Sequence, residues 1–149
     1  EENIAILMYN MGKYDEALKA YQHTTTIDSN FTSPYFSMGI IYQNLEQYGR
    51  AAECYEKYLS NHQKEEVAYA NLSFAYYKQG LYEKSIEVSR RSIAANPNNS
   101  FNPMVNIAKT YYKMQVNDSA LFYFEQAQRL NPNDANTARF IQQLRNIKQ

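Results

Sequence analysis

The sequence predicts an all-α protein in which helix-turn-helix repeats stack as an α-solenoid. The chain repeats itself about every 34 residues, and small residues recur at two positions of each repeat with an aromatic residue or methionine between them. The small residues are Ala5, Gly39, Ser73 and Ala108 at the first position, and Ala17, Ala51, Ser85 and Ala120 at the second. A fixed period of this length is typical of units that bury their apolar faces only against neighbouring units.

Four repeats make up most of the single domain that we expect over residues 1–149. In chain order they are a degenerate copy truncated at its N-terminal side, 1–31, and then 32–65, 66–99 and 101–134. Residues 135–149 are predicted to form a capping helix, because a solenoid needs a polar outer face at its end. Ala138, Ile141, Leu144 and Ile147 are expected to cover the last repeat, with Asp134 as the helix N-cap.

Each repeat is predicted to contain two amphipathic helices. In the third repeat the spacing of apolar residues predicts helices over 66–79 and 82–95. Gly80 lies between these helices, and Gly12 lies at the same place in the first repeat, where a left-handed residue ends a helix at low cost. Asn96 precedes a proline, which pushes it out of the α region and ends the second helix.

The pattern resembles the tetratricopeptide repeat family. Residues 66–99 carry the family signature as Tyr69, Leu72, Ser73, Tyr76, Tyr82, Ser85 and Pro97, and the other repeats carry it in register. The resemblance implies a right-handed superhelix in which the first helices of the repeats line a concave groove. It also implies the function, which is that of a protein–protein interaction module or scaffold binding an extended peptide or a partner helix in that groove.

The resemblance further implies which residues of this chain bind the partner. They are Asn3, Tyr9, Phe36, Ile40, Asn71, Phe74, Tyr77, Lys78, Asn106, Lys109, Tyr112 and Lys113. The three asparagines share one slot, and an amide both donates and accepts hydrogen bonds, so it can pair with a peptide backbone of any sequence. The apolar and aromatic members form a strip suited to partner binding, although several of them are also expected to pack between neighbouring first helices.

The three lysines make one end of the expected groove basic, which favours a ligand with an acidic end. The best-known groove of the family clamps the C-terminal carboxylate of chaperone tails with lysine, asparagine and arginine. Of the positions that hold these clamp residues in the family, only the one occupied by Asn71 has the expected residue in this chain. Other clamp positions are occupied by Phe36, Ile40, Asn102 and Asn106. We therefore do not expect a chaperone-tail adaptor.

Composition argues against several other classes of function. The formal net charge is zero, whereas a nucleic-acid interface needs a basic stripe that neutralises phosphates. The sequence has no long apolar run for membrane insertion, no phosphate-binding loop, and no histidine or cysteine pair at metal-ligand spacing. We therefore expect no enzyme, cofactor or metal, and protein or peptide as the partner. Cys54 is the only cysteine and is expected to be a small, partly buried residue.

A structural or assembly role is the alternative function. Residues 1–31 hold five acidic and two basic residues, a formal charge of −3, whereas residues 135–149 hold three basic residues and no acid. Opposite charge at the two ends favours self-association through the solenoid ends, or packing against another domain of a longer polypeptide. The sequence leaves the compartment open, because the cytoplasm and a bacterial periplasm are both compatible with it.

Overall fold

The computed structural model describes residues 2–27 and 32–147, and the chain divides into two compact units, 1–75 and 76–149. Within the described ranges the secondary structure is α-helical with one short 3-10 turn and no strand, which confirms the all-α class. The helices are α1 (Glu2–Asn10), α2 (Tyr14–Ile27), α3 (Ser33–Asn44), α4 (Tyr48–Leu59), α5 (Glu66–Lys78), α6 (Tyr82–Ala95), α7 (Phe101–Lys113), α8 (Asn117–Leu130) and α9 (Ala135–Ile147). The division between the units falls within α5, and the expectation of a single domain stays a prediction.

The sequence repeats correspond to pairs of helices. The second helices of the repeats begin at Tyr14, Tyr48, Tyr82 and Asn117, which keeps the period of the sequence. The helices predicted over 66–79 and 82–95 are observed as α5 and α6, and α6 ends at Ala95, directly before Asn96 and its proline. The expected boundaries were therefore correct to within one residue.

In unit 1 the helices α1 to α4 pack in chain order, and small residues let them approach closely. Ala5, Ala17 and Ala51 are fully buried. Gly39 lies on α3 against the ring of Tyr55 on α4, and a Cβ atom built at position 39 would stand 2.5 Å from Cε1 of that ring. No side chain fits at that distance, so the crossing of α3 and α4 requires glycine here.

The turn between paired helices has the same backbone conformation in every repeat. Gly12 and Gly80 have φ of 72° and 75°, as expected from their position after the first helix. Glu46 and Gln115 occupy the equivalent positions in the other two repeats, with φ of 57° and 61°. The turn therefore keeps its left-handed residue even where the sequence does not supply glycine.

In unit 2 the helices α6 to α9 pack in chain order, and α9 closes the core. Phe124 on α8 is fully buried and stacks on Phe140 of α9, with ring centroids 4.8 Å apart. Ile141 and Leu144 are buried in the same cluster, as predicted for a capping helix. Residues 148 and 149, the predicted end of that helix, lie outside the described residues.

The predicted inward face of α9 was wrong at two positions, and one of them is Ile147, which is 60% exposed in the last turn of the helix. Ala138 is exposed, and Thr137 is buried in its place. Phe140, Ile141 and Leu144 follow Thr137 at intervals of three, four and seven, which is the stripe of a regular helix, whereas Ala138 lies to one side of it. Asp134 is the N-cap as predicted, since its Oδ2 accepts a hydrogen bond of 2.7 Å from the Thr137 N–H.

Candidate functional site

The residues expected to bind a partner all lie on the first helices of the repeats, and they divide between the two units. Unit 1 carries Asn3 and Tyr9 on α1, Phe36 and Ile40 on α3, and Asn71 and Phe74 on α5. Unit 2 carries Tyr77 and Lys78 at the end of α5, and Asn106, Lys109, Tyr112 and Lys113 on α7.

Phe74 is the most exposed aromatic of this set, at 44% of its surface. Its ring meets the ring of Tyr48, the first residue of α4, edge to face at a centroid distance of 6.1 Å. This contact restrains the ring while leaving a large part of it accessible.

Phe36 is half-buried and packs within its own repeat. Its ring lies 5.9 Å from Tyr55 and 5.1 Å from Tyr58, both on α4. Tyr58 in turn stacks on His62 at 4.2 Å, so an aromatic cluster of four rings covers this part of unit 1. Part of the Phe36 ring therefore serves packing against the second helix of its own repeat.

Asn71 is held by a residue that the sequence analysis did not assign to the site. Tyr55 is fully buried, its hydroxyl donates to Gln43 Oε1 at 3.3 Å, and the Asn71 amide hydrogen-bonds the same phenol. Burial raises the pKa of the Tyr55 phenol, the negative charge of a Cys54 thiolate would raise it further, and the Asn71 hydrogen bond opposes the shift. Tyr55 thus joins Asn71 to Phe36.

On α1 the expected residues have polar and aromatic neighbours of their own. The Tyr9 hydroxyl accepts a hydrogen bond of 3.4 Å from Asn44 Nδ2, and the Tyr9 ring lies 5.7 Å from that of Tyr14. Asn3 is exposed. Among the described residues no hydrogen bond joins Asn3 to Asn71, so the shared slot of these asparagines does not form a directly bonded row in unit 1.

In unit 2 the exposed aromatic residue is Tyr112, at 38% of its surface. Its ring meets Phe140 of the capping helix edge to face at 5.6 Å, in the same manner as Phe74 on Tyr48. Lys109 and Lys113 are exposed and lie one turn apart on the same helix. The three side chains place an aromatic surface beside two positive charges.

Three further members of the set lie in unit 2. The Tyr77 ring lies 5.6 Å from Tyr82, and Lys78 is exposed in the last turn of α5. Asn106 is half-buried, and its backbone carbonyl accepts a hydrogen bond of 2.8 Å from Thr110 Oγ1.

We also searched the described part of the chain for a metal site, a membrane-spanning helix and a reactive cysteine. No group of three or more histidine, cysteine, aspartate or glutamate residues there is arranged to hold a metal ion. None of the described helices has the length and apolarity needed to cross a bilayer. Cys54 is buried, and burial, aided by the charge of Glu53, raises the pKa of its thiol to about 12, which leaves it unreactive in the folded state.

Comparisons with known proteins agree with the repeat pattern. Three family models described as Tetratricopeptide repeat match residues 3–24, 36–100 and 102–134. Among curated proteins no relative matches the sequence.

Solved structures with similar folds are helical-repeat proteins. The crystal structure of MamA aligns with a TM-score of 0.85 at 21% identity, covering 97% of this chain and 84% of that one. YrrB, described as a TPR protein with an unusual peptide-binding site, aligns with a TM-score of 0.78 at 20% identity, covering 99% and 75%. The first TPR of Spaghetti (RPAP3), solved with the HSP90 peptide SRMEEVD, aligns with a TM-score of 0.69 at 18% identity, covering 80% and 94%. These likenesses confirm the all-α helical-repeat solenoid.

Proposed function

The chain belongs to the tetratricopeptide repeat family, and from this premise we propose that it is a protein-interaction module that binds an extended peptide or a partner helix through the first helices of its repeats. Two of the structures with similar folds support the class of function, because YrrB is described as having a peptide-binding site and the RPAP3 domain was solved with a peptide. The partner here differs from a chaperone tail, since only Asn71 matches the residues of that clamp.

The observation that carries the proposal is the support beneath the two exposed rings. Phe74 rests on Tyr48, and Tyr112 rests on Phe140, each in an edge-to-face contact. A restrained, accessible aromatic ring loses little conformational entropy when a partner covers it, so such rings contribute strongly to affinity. Each unit supplies one, on a first helix.

Polar groups beside these rings add contacts that do not depend on partner sequence. The Tyr55 hydroxyl orients the Asn71 amide, whose remaining donor and acceptor can pair with a peptide backbone. Lys109 and Lys113 flank Tyr112 and favour a partner with acidic residues at that end.

The test is affinity capture with four baits, followed by calorimetry on the purified partner. The baits are the unaltered chain, Phe74→Ala, Tyr112→Ala and Leu130→Ala. The last removes an apolar side chain that is also exposed, at 54%, from a second helix and is the control. Because ring truncation at a well-packed contact costs about 2 kcal/mol, we expect about thirtyfold weaker binding for at least one ring variant and no change for the control.

Equal capture and equal affinity for all four baits, with unchanged helicity, would show that the first helices do not bind the partner. The charge-reversal variant Lys109→Glu with Lys113→Glu then tests whether the protein prefers a ligand with an acidic end. Affinity that is independent of this exchange would contradict the acidic preference while leaving the aromatic contacts intact.

One observation favours the alternative of an assembly role. On α1 the apolar side chains of Ile4, Ile6 and Leu7 are exposed at 55%, 45% and 56%. A row of exposed apolar residues on one helix is a surface suited to another protein element, either of this polypeptide or of another copy.

A further inference from the structure

A cluster on α6, α7 and α8 of unit 2 holds an arginine between two tyrosines. Arg90 Nη2 lies 3.4 Å from the Tyr111 hydroxyl and 3.4 Å from the Tyr123 hydroxyl. The two phenol rings stack on each other at a centroid distance of 5.8 Å and an interplanar angle of 20°. The guanidinium is therefore oriented by two rings that also support one another.

This cation has no anionic partner among the described residues. Arg90 is exposed, and the two phenols are its hydrogen-bond partners within the described ranges. Arg145 of the same unit, by contrast, is paired with Glu125 at 2.8 Å. An arginine that is positioned by neutral groups keeps its whole charge available for a ligand.

Hydrogen-bond donors converge at the cluster. A guanidinium has five N–H donors, and only those of Nη2 face the phenols. Each phenol oxygen accepts from Arg90, so its own O–H remains to donate elsewhere. The cluster thus presents donors and one positive charge.

An exposed aromatic side chain adjoins the cluster. Phe122 is 54% exposed, and its ring meets Tyr123 edge to face at 5.3 Å. Arginine, tyrosine and an accessible ring together form the composition that dominates binding energy in protein interfaces.

We propose that Arg90, Tyr111, Tyr123 and Phe122 form a second protein-binding site, which takes an aspartate or glutamate side chain of a partner together with an adjacent apolar residue. The carboxylate accepts from the Arg90 and phenol donors, and the apolar residue packs on Phe122. A carboxylate fits better than a phosphoryl group because the cluster contains one cation, whereas phosphoryl recognition commonly uses several arginines.

This site is separate from the one proposed above. Arg90, Phe122 and Tyr123 lie on second helices, and none of the four residues belongs to the set expected to bind a peptide in the groove. The sequence did not reveal the cluster, because Tyr111 and Tyr123 lie 21 and 33 positions after Arg90 and no motif joins the three residues.

The test is to titrate the whole chain with each of three capped hexapeptides and to monitor the titration by NMR. The first contains Glu-Leu at its centre, the second Gln-Leu and the third phosphoserine-Leu, in an otherwise Gly-Ser background. The signals are the Arg90 side-chain N–H and the ring resonances of Tyr123 and Phe122. Arg90→Gln is the test variant and Arg129→Gln, another exposed arginine of unit 2, is the matched control.

We expect the Glu-Leu peptide to shift these resonances at millimolar concentration, with affinity about tenfold lower for Arg90→Gln and unchanged for Arg129→Gln. The Phe122→Ala variant should bind the Glu-Leu peptide more weakly, and its affinity for free acetate should be unchanged. Equal shifts from the Gln-Leu peptide, retention of binding by Arg90→Gln, or tighter binding of the phosphoserine peptide would each overturn the proposal. Phe74→Ala should bind the Glu-Leu peptide normally, so failure of this site and failure of the groove proposal are distinguishable.

Discussion

At the scale of single residues, the contact between Gly39 and Tyr55 limits how the second repeat packs. Replacing Gly39 by alanine gains about 1 kcal/mol of helix propensity. It also places a Cβ atom 2.5 Å from a fully buried ring, and overpacking of this kind costs about 1–3 kcal/mol. Because the ring has no room to withdraw, we expect the clash to dominate, and urea denaturation of Gly39→Ala should show a lower free energy of unfolding.

Two controls isolate this clash. Ser73→Ala changes the same repeat position where a Cβ atom is already accommodated, so it introduces no steric clash. The double variant Gly39→Ala with Tyr55→Leu removes the ring as well. If the double variant loses as much free energy of unfolding as the two single variants together, Gly39 and Tyr55 do not interact.

The left-handed turn residues give a second prediction at this scale. A residue other than glycine loses about 1–2 kcal/mol in this conformation. We therefore expect Glu46→Gly and Gln115→Gly, both at exposed positions, to stabilise the fold by about 0.5–1 kcal/mol each. Thermal unfolding followed by circular dichroism measures the change.

Gly80→Ala is the opposite exchange at the equivalent position. A Cβ atom there would meet nothing within 4 Å, so its effect reports backbone strain alone. It should destabilise by about 1 kcal/mol. Stability that is unchanged in all three variants would show that the turn relaxes out of the left-handed region.

At the scale of helices, the Asp134 cap connects the last repeat to α9. The Thr137 N–H bond is the largest cause of the lowered pKa of the Asp134 carboxyl, and Lys109 adds a smaller effect in the same direction. A carboxyl whose pKa is lower in the folded state stabilises the fold above its unfolded pKa, and this contribution disappears as the pH falls through the folded pKa. The cap should therefore weaken below about pH 4.

Two substitutions at this position test the cap. Asp134→Ala should lower the thermal midpoint at neutral pH, because the Thr137 N–H loses its acceptor. Asp134→Asn keeps an acceptor without the titrating charge, so its midpoint should depend less on pH between neutrality and pH 3 than that of the unaltered chain. Parallel pH profiles for the asparagine variant and the unaltered chain would show that this carboxyl does not contribute to the acid sensitivity.

The sequence predicted the helices better than it predicted their faces. The repeat period, the glycines and the Asn-Pro pairs placed the ends of α5 and α6 correctly, since these are local signals. The face of α9 was wrong at Ala138 because a small residue is compatible with either side of a helix, and its burial depends on the neighbour. Thr137 is buried because it faces the core and its backbone is tied to Asp134.

At the scale of the whole chain, the resemblance to the tetratricopeptide repeat family implied that the first helices form the candidate binding surface. It did not reveal that Tyr55 holds Asn71, or that Tyr48 and Phe140 support the exposed rings. Such contacts join residues of different helices, and side-chain direction decides them. The Arg90 cluster was missed for the same reason. The period of a repeat protein predicts its backbone, whereas the contacts between side chains of different helices depend on residues that vary from repeat to repeat.

The oligomeric state distinguishes the two functions proposed for the chain. If it acts as an interaction module, sedimentation equilibrium should give the monomer mass over about a hundredfold range of concentration, at low and at high salt. Charges at the two ends do not suffice for assembly, because exposed pairs are weak and salt screens them. Assembly would instead need the exposed side chains of α1, so Ile4→Ser with Leu7→Ser is the decisive variant. A mass that rises with concentration and returns to that of the monomer in this variant would establish the assembly role and contradict the module.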